Sequence, residues 1–357
     1  MDNLYWNERA RNLSPYIPGE QPKDRQFIKL NTNENPYPPS PNVIEAVKMA
    51  ADNSLRLYPD PECTGFREAI AACYGVNPRQ VFAGNGSDEI LAFAFGAFFE
   101  KTILFPDITY SFYPVYADLW DIPYSLIPLM EDFSIKISDY RIPSDGVVIS
   151  NPNAPTGIAL SPDDIFYLAE FLEKQKKVFI VDEAYAAFGA QSAVTLINKF
   201  PNLLIIKTLS KSASLAGLRA GFAIGNDNLI EGLRRIRDSF NSYTLDRLAL
   251  AGGEAAVKDT KYYNDINSRV MATRERVTEN LRSLNFTVLP SSANFLFIKF
   301  SGLGGKELFS ALRESGILVR HFYKERISDF IRVSMGTDEQ MDIFIKTCKD
   351  ITERRKG

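Results

Sequence analysis

Leu203-Leu204-Ile205-Ile206-Lys207-Thr208-Leu209-Ser210-Lys211-Ser212-Ala213-Ser214-Leu215-Ala216-Gly217-Leu218-Arg219 joins an apolar, strand-like run to a turn of small and hydroxylic residues. The turn carries an amine at Lys211 and, eight positions on, a guanidinium at Arg219. Gly217, between them, lets the backbone come close to a neighbour. One amine and one guanidinium against a wall of small residues suit a flat anionic ligand held covalently. Lysine forms a Schiff base with aldehydes, and pyridoxal 5′-phosphate (PLP) is the common aldehyde cofactor.

Working outward, the same kind of short β-rich run recurs at 81–83, 102–105, 124–129, 147–150, 178–181 and 220–224. Helical stretches separate these runs, among them 41–51, 65–74 and 88–98, the last apolar on most faces and so buried. Strands alternating with helices predict an α/β fold with a mostly parallel, seven-stranded, doubly wound sheet. Ligands of such sheets bind at the carboxyl ends of the strands. Residues 1–40, rich in Pro and Asn, read as an irregular arm on the body of the protein. After residue 250 a long charged helix (262–284) leads into strands at 286–289, 294–300, 316–320 and 330–334. The expected organisation is therefore an arm (1–40), a large ligand-binding domain (41–250) and a smaller α+β domain (251–357).

With 357 residues the chain supports a large core, and a formal net charge of −3 gives no reason to expect nucleic acid or an anionic membrane as partner. Its longest apolar stretches fall short of the roughly 20 residues a membrane helix needs. Met1-Asp2-Asn3-Leu4-Tyr5-Trp6 lacks the basic start and apolar core of a secretory leader. Three cysteines (Cys63, Cys73, Cys348) without metal-type spacing point to a reducing cytoplasm. The single histidine, His321, leaves no basis for a histidine-rich metal site and reads as structural or peripheral. No metal is expected.

Three further loops follow predicted strands. In Gly84-Asn85-Gly86-Ser87-Asp88-Glu89 the glycines and the helix start leave N–H groups free for an anion, phosphate being the natural guest. By itself such a turn is an ordinary strand-to-helix connection. It lacks the third glycine of a dinucleotide fingerprint, which argues against a nicotinamide-dependent oxidoreductase. Asn151-Pro152-Asn153-Ala154-Pro155-Thr156-Gly157 is rigid and polar, able to place an amide against a ligand or to form a surface turn. Val178-Phe179-Ile180-Val181-Asp182-Glu183-Ala184-Tyr185 ends a buried strand with two carboxylates. A carboxylate there is either a helix cap or the partner of a buried cation, such as a protonated pyridine nitrogen.

Taken with Leu30-Asn31-Thr32-Asn33-Glu34-Asn35-Pro36, Tyr58-Pro59-Asp60, Tyr110-Ser111-Phe112-Tyr113, Ser292-Ala293-Asn294-Phe295 and Arg332-Val333-Ser334-Met335-Gly336-Thr337, these segments resemble the fold-type-I PLP-dependent aminotransferases end to end. The resemblance is strongest to the branch that transaminates histidinol phosphate with 2-oxoglutarate in histidine biosynthesis. It implies that Lys211 holds PLP, that Asp182 pairs with the pyridine nitrogen, and that Tyr185 hydrogen-bonds the ring's phenolic oxygen. It implies that Tyr110 stacks on the ring. The phosphate is expected among Gly86, Ser87 and Asp88, the Ser210 hydroxyl and Arg219, with Tyr58 reaching it from the other subunit of a homodimer with shared sites. Tyr16, Asn33, Arg320 and Arg332 match substrate-binding positions, the two arginines as forks for carboxylate or phosphate. Lys207 is expected to be structural. One departure stands out: the asparagine that precedes Pro-Thr-Gly in the family is Ala154 here, and Asn153 is the nearest amide expected to replace it at the cofactor. The expected partners are a small-molecule amino donor and a 2-oxo acid acceptor. Rival readings are an aromatic or other amino-acid aminotransferase, a decarboxylase of phosphorylated amino acids, and a non-catalytic PLP-sensing regulator.

Overall fold

Apolar runs too short for helices form the middle of the protein. In the computed structural model, which describes residues 5–22 and 26–354, the first strands are β1 (Ile28–Lys29), β2 (Val81–Gly84), β3 (Ile103–Pro106) and β4 (Tyr124–Ile127). They continue with β5 (Gly146–Ser150), β6 (Val178–Asp182), β7 (Leu203–Thr208) and β8 (Gly221–Gly225). The later strands are β9 (Phe286–Val288), β10 (Phe295–Phe300), β11 (Ile317–Leu318), β12 (Arg320–His321) and β13 (Ile331–Ser334). The helices begin with α1 (Glu8–Asn12), α2 (Pro41–Ala50), α3 (Thr64–Tyr74), α4 (Gly86–Phe98), α5 (Phe112–Trp120) and α6 (Pro162–Lys174). They end with α7 (Asp227–Phe240), α8 (Arg247–Lys258), α9 (Thr260–Ser283), α10 (Gly305–Glu314) and α11 (Asp338–Arg354). Residues 1–4, where the leader reading began, lie outside the described residues, as do 23–25 of the arm.

Seven strands form one mostly parallel sheet, as the sequence led us to expect, and their order is β2-β8-β7-β6-β5-β3-β4. All neighbours run parallel except β8, which is antiparallel to both β2 and β7. Alternate residues of the central strands serve opposite faces, as the period of a strand requires. Val147 and Ile149, Phe179 and Val181, and Leu203 and Ile205 pack with Val43, Phe66, Leu168 and Ala249 of α2, α3, α6 and α8. Val148, Ile180, Leu204 and Ile206 pack with Ile90, Phe95, Tyr113 and Leu233 of α4, α5 and α7. Both faces are thus covered by helices, which leaves the ends of the strands to carry chemistry.

Local signals set the helix ends. Ser40 accepts from Val43 N ahead of Pro41, and Ser161 accepts from Asp164 N ahead of Pro162. Gly75, at φ 67, closes α3 in left-handed backbone. A second, antiparallel sheet has the order β12-β13-β10-β9, and β1 of the arm pairs in parallel with β11. The run expected as one strand at 316–320 is divided between these two sheets. Packing on the large sheet does not stop at residue 250, since Ala256, Val257, Tyr263 and Ile266 still belong to its core.

Candidate active site

The register of the large sheet brings the chemistry to one end. Ser150 lies opposite Asp182, Asp182 opposite Ile206, Thr208 opposite Gly221, and Gly221 opposite Gly84. Beyond these residues lies a cavity of about 240 Å³. Of the residues expected at a site, Tyr16, Asn33, Ser87, Asp88, Tyr110, Asp182, Tyr185, Ser210, Lys211, Arg219, Arg320 and Arg332 line it.

Lys211 leaves the end of β7 and its Nζ donates to the carbonyl of Thr32 at 3.0 Å. Asn35 Nδ2 donates to the Lys211 carbonyl at 3.2 Å, fixing the lysine from the arm side. Burial, and then the nearby Arg332 guanidinium, hold the Lys211 amine down at about 8. Asp182 is 3 % exposed. Tyr113 OH donates to its Oδ2 at 3.0 Å and Ala184 N to its Oδ1 at 3.2 Å. Burial pushes the carboxyl up to about 6 against these donors. Among the described residues no lysine or arginine forms an ion pair with it, so it is a buried acid that lacks a cation.

The start of α4 has no side-chain cap. Gly86 sits at φ +75, and a Cβ there would stand 2.7 Å from Arg219 Nη2. A Cβ on Gly221 would press on the Gly86 carbonyl carbon at 2.6 Å and on Ser87 N at 2.8 Å. Only glycine at both positions lets β8 and Arg219 close on the helix start. Arg219 Nη2 pairs with Asp88 Oδ2 at 3.2 Å, and its Nη1 donates to Ser210 Oγ at 3.4 Å. Free helix N–H groups, a hydroxyl and a guanidinium make an anion cradle. A covalently held ring with a cationic nitrogen and a phosphate fits these three features: amine, uncompensated acid and cradle.

On the opposite wall Arg320 and Arg332 are register partners in β12 and β13. Arg332 Nη2 donates to the Asn31 carbonyl at 3.1 Å, while its Nε is buried without a partner. Burial holds this guanidinium below its usual range. Arg320 donates to the carbonyls of Ile17 and Pro18, tying the arm across the mouth. There Tyr16 stacks on Phe112 at 4.2 Å.

One expectation differs from the structure. Asn153 does not reach the cavity: its Nδ2 donates to the Ile108 carbonyl and to Thr156 Oγ1, and its Oδ1 accepts from Thr109. That amide is consumed in holding two loops together, so it does not stand in for the group missing at Ala154. Tyr58, expected to act from the other subunit, is 78 % exposed, stacked on Tyr243 at 4.6 Å, and does not line the cavity of its own chain. Tyr110 lines the cavity with its hydroxyl donating to Asp88 Oδ1 at 2.7 Å, which leaves its ring face free for the expected stacking. Sequence reading also missed Tyr113 as the partner of Asp182, although it closes the Tyr110–Tyr113 motif. Lys207 pairs with Glu183 at 2.5 Å away from the cavity, and His321 is buried with Nε2 against the Ser328 carbonyl at 2.8 Å.

Comparison with known proteins agrees with this geometry. The family model for aminotransferase class I and II matches residues 25–347. The histidinol-phosphate aminotransferase of Clostridium acetobutylicum is 53 % identical over 348 residues, 97 % of this chain and 98 % of that protein. That of Clostridium beijerinckii is 51 % identical over 97 % of both chains. A solved histidinol-phosphate aminotransferase from Sinorhizobium meliloti, in complex with pyridoxal-5′-phosphate, superposes with a TM-score of 0.89 at 20 % identity, covering 98 % of each chain. An aspartate aminotransferase from Thermus thermophilus, with maleate, gives a TM-score of 0.80 at 18 % identity, covering 91 % of this chain and 92 % of that one. The fold is therefore shared by proteins of different substrate, and the site must decide between substrates.

Proposed function

The chain belongs to the aminotransferase class I and II family, and on that footing we propose that it moves the amino group of histidinol phosphate to 2-oxoglutarate. It is a PLP-dependent enzyme of the α/β fold described above. The observation that carries the substrate reading is the pair Arg320 and Arg332, side by side across one cavity from the Lys211 amine. Two guanidinium forks suit a phosphate on the far end of an amino donor, and equally the carboxylates of the acceptor.

When bound, PLP supplies an aldehyde to which amines attach and a ring that accepts the electron pair released at the substrate's α carbon. In our reading Arg219, Ser210 and the N–H groups of Gly86, Ser87 and Asp88 hold its phosphate. Asp182 keeps the ring nitrogen protonated, and Tyr185 OH donates to the phenolic oxygen. Lys211 Nζ, with an unprotonated fraction near neutral pH, takes the α proton and returns it. The arm residues around Tyr16 cover the mouth and limit water.

Tyr58, remote from its own cavity, is assigned to the cradle of a second copy, so we read the protein as a homodimer with shared sites. We divide the chain into arm (1–40), large domain (41–250) and small domain (251–357), which the two larger sheets support, although residues as far as Ile266 still pack on the large one. No helix among the described residues is long and apolar enough to cross a membrane. A cytoplasmic location is our inference from the sparse, unpaired cysteines.

The test is steady-state kinetics with histidinol phosphate against phenylalanine as donor, 2-oxoglutarate accepting. We expect kcat/KM to favour the phosphorylated donor and Arg332→Lys to erase that preference; equal or better use of phenylalanine overturns the substrate assignment. Lys211→Ala is expected to keep the fold and less than about a thousandth of the rate.

A further inference from the structure

The Tyr185 hydroxyl is held so that its own proton has few directions to take. Asn33 faces it. This residue is 1 % exposed and adopts φ 56, left-handed backbone that asparagine tolerates better than most residues. Asn33 N donates to Ser334 Oγ at 2.8 Å, and Ser334 Oγ donates to Asn33 Oδ1 at 3.0 Å. Asn294 Nδ2 donates to the Asn33 carbonyl at 3.0 Å. The serine's single proton is therefore spent on the amide oxygen, which turns the amide nitrogen toward Tyr185. Asn33 Nδ2 donates to Tyr185 OH at 3.0 Å. The phenol oxygen accepts in that bond, so its own O–H is left to donate elsewhere. Tyr185 borders the cavity, with Lys211 Nζ 6.0 Å from its ring centre.

No side chain of the Asn-Pro loop lines the cavity, although Asn151 Nδ2 is buried in that loop without a partner. Ala154 is 2 % exposed inside an apolar cluster, and the Asn153 amide is fully engaged between loops. We propose that Asn33 is a positioning residue that aims the Tyr185 hydroxyl at the phenolic oxygen of bound PLP, in a chain whose Asn-Pro loop places no side-chain amide in the cavity wall. The proposal rests on the assignment of Tyr185 made above. A hydrogen bond donated to a phenolate favours its anionic form and lets that form persist to lower pH. The charged groups facing Tyr185 are Arg332 on β13, Lys211 after β7, Asp182 on β6 and Asp88 on α4, and none of them is altered by the variants below.

The experiment is a pH titration of the visible absorbance of the holoenzyme. Asn33→Ala raises the midpoint by roughly half to one pH unit, the scale of one lost hydrogen bond. Tyr185→Phe raises it at least as far, and the double variant goes no further than Tyr185→Phe. Ser334→Ala, which frees the amide to turn, moves the midpoint the same way by a smaller amount, and it decides the matter if Asn33→Ala does not fold. An unmoved midpoint in these Asn33 and Ser334 variants overturns the proposal, as does full additivity in the double variant. A higher KM for the amino donor with no spectral change would place Asn33 at the substrate alone. If Tyr185→Phe itself leaves the midpoint unmoved, it is the Tyr185 assignment that fails.

Discussion

Asp182 shows how a single residue can be destabilising alone and useful with its ligand. Its carboxyl is raised to about 6 from an ordinary value of 3.8, because burial penalises the anion more than Tyr113 and Ala184 N reward it. Between those pH values the folded protein binds more protons than the unfolded chain, so the stability of cofactor-free protein falls as pH rises through the window. Above pH 6 the penalty is complete, on the order of 3 kcal/mol. Asp182→Asn is accordingly expected to stabilise the cofactor-free protein at pH 7.5 toward urea by roughly 1–3 kcal/mol, and to gain nothing at pH 4. The same variant should bind PLP more weakly, because the amide cannot balance a pyridinium. Urea midpoints of the cofactor-free protein at the two pH values check the sign; a variant less stable at both would show that Asp182 is already compensated.

At the scale of elements, the ends of β6 and β7 are held together by the Lys207–Glu183 pair, which supports the turns that carry Tyr185 and Lys211. Glu183 also accepts from Ala193 N at 2.6 Å and from Ser192 Oγ at 2.6 Å, so both of its carboxylate oxygens have donors. Burial lowers the Lys207 amine, yet the adjacent carboxylate outweighs it and the net shift is upward. Removing one partner strands the other charge: Lys207→Ala or Glu183→Ala should each cost roughly 3–5 kcal/mol in urea unfolding. Lys207→Met combined with Glu183→Gln should cost clearly less than the two single losses added. Additive losses would mean that the pair joins nothing. Elements of this kind were legible where one run of residues decides them. The apolar runs of β5, β6 and β7 are too short and too uniformly buried to be anything but central strands, and Lys211 and Asp182 stand at their ends. What stayed hidden depends on how elements meet. That Tyr113 reaches Asp182 follows from the rotation of α5 about its axis. Asn153 faces Ile108 because two loops meet, and β1 exists only because β11 lies beside it, within a stretch that read as irregular.

The whole molecule leaves a surface that its own chain does not cover. Leu55, Leu57 and Tyr58 are each at least half exposed, and Tyr58 lies against Tyr243 rather than in the cavity of its own chain. Solvated aromatic and aliphatic groups in one stretch are costly alone and favourable against a second copy. If Tyr58 serves the partner's cradle, a chain carrying Lys211→Ala and a chain carrying Tyr58→Ala repair one another. In a hybrid dimer, one site collects both defects and the other has neither. Equal mixing after dissociation gives half hybrids at random association, each with one native site, hence about a quarter of native activity. Each variant alone should fall far below that, since one lacks the amine and the other binds PLP weakly. Were Tyr58 to act within its own chain, the hybrids would contain no intact site, and the mixture would show only the mean of the two parents. Kinetics on the remixed sample, with dimer content followed by light scattering, therefore reads out in one number whether the site is shared.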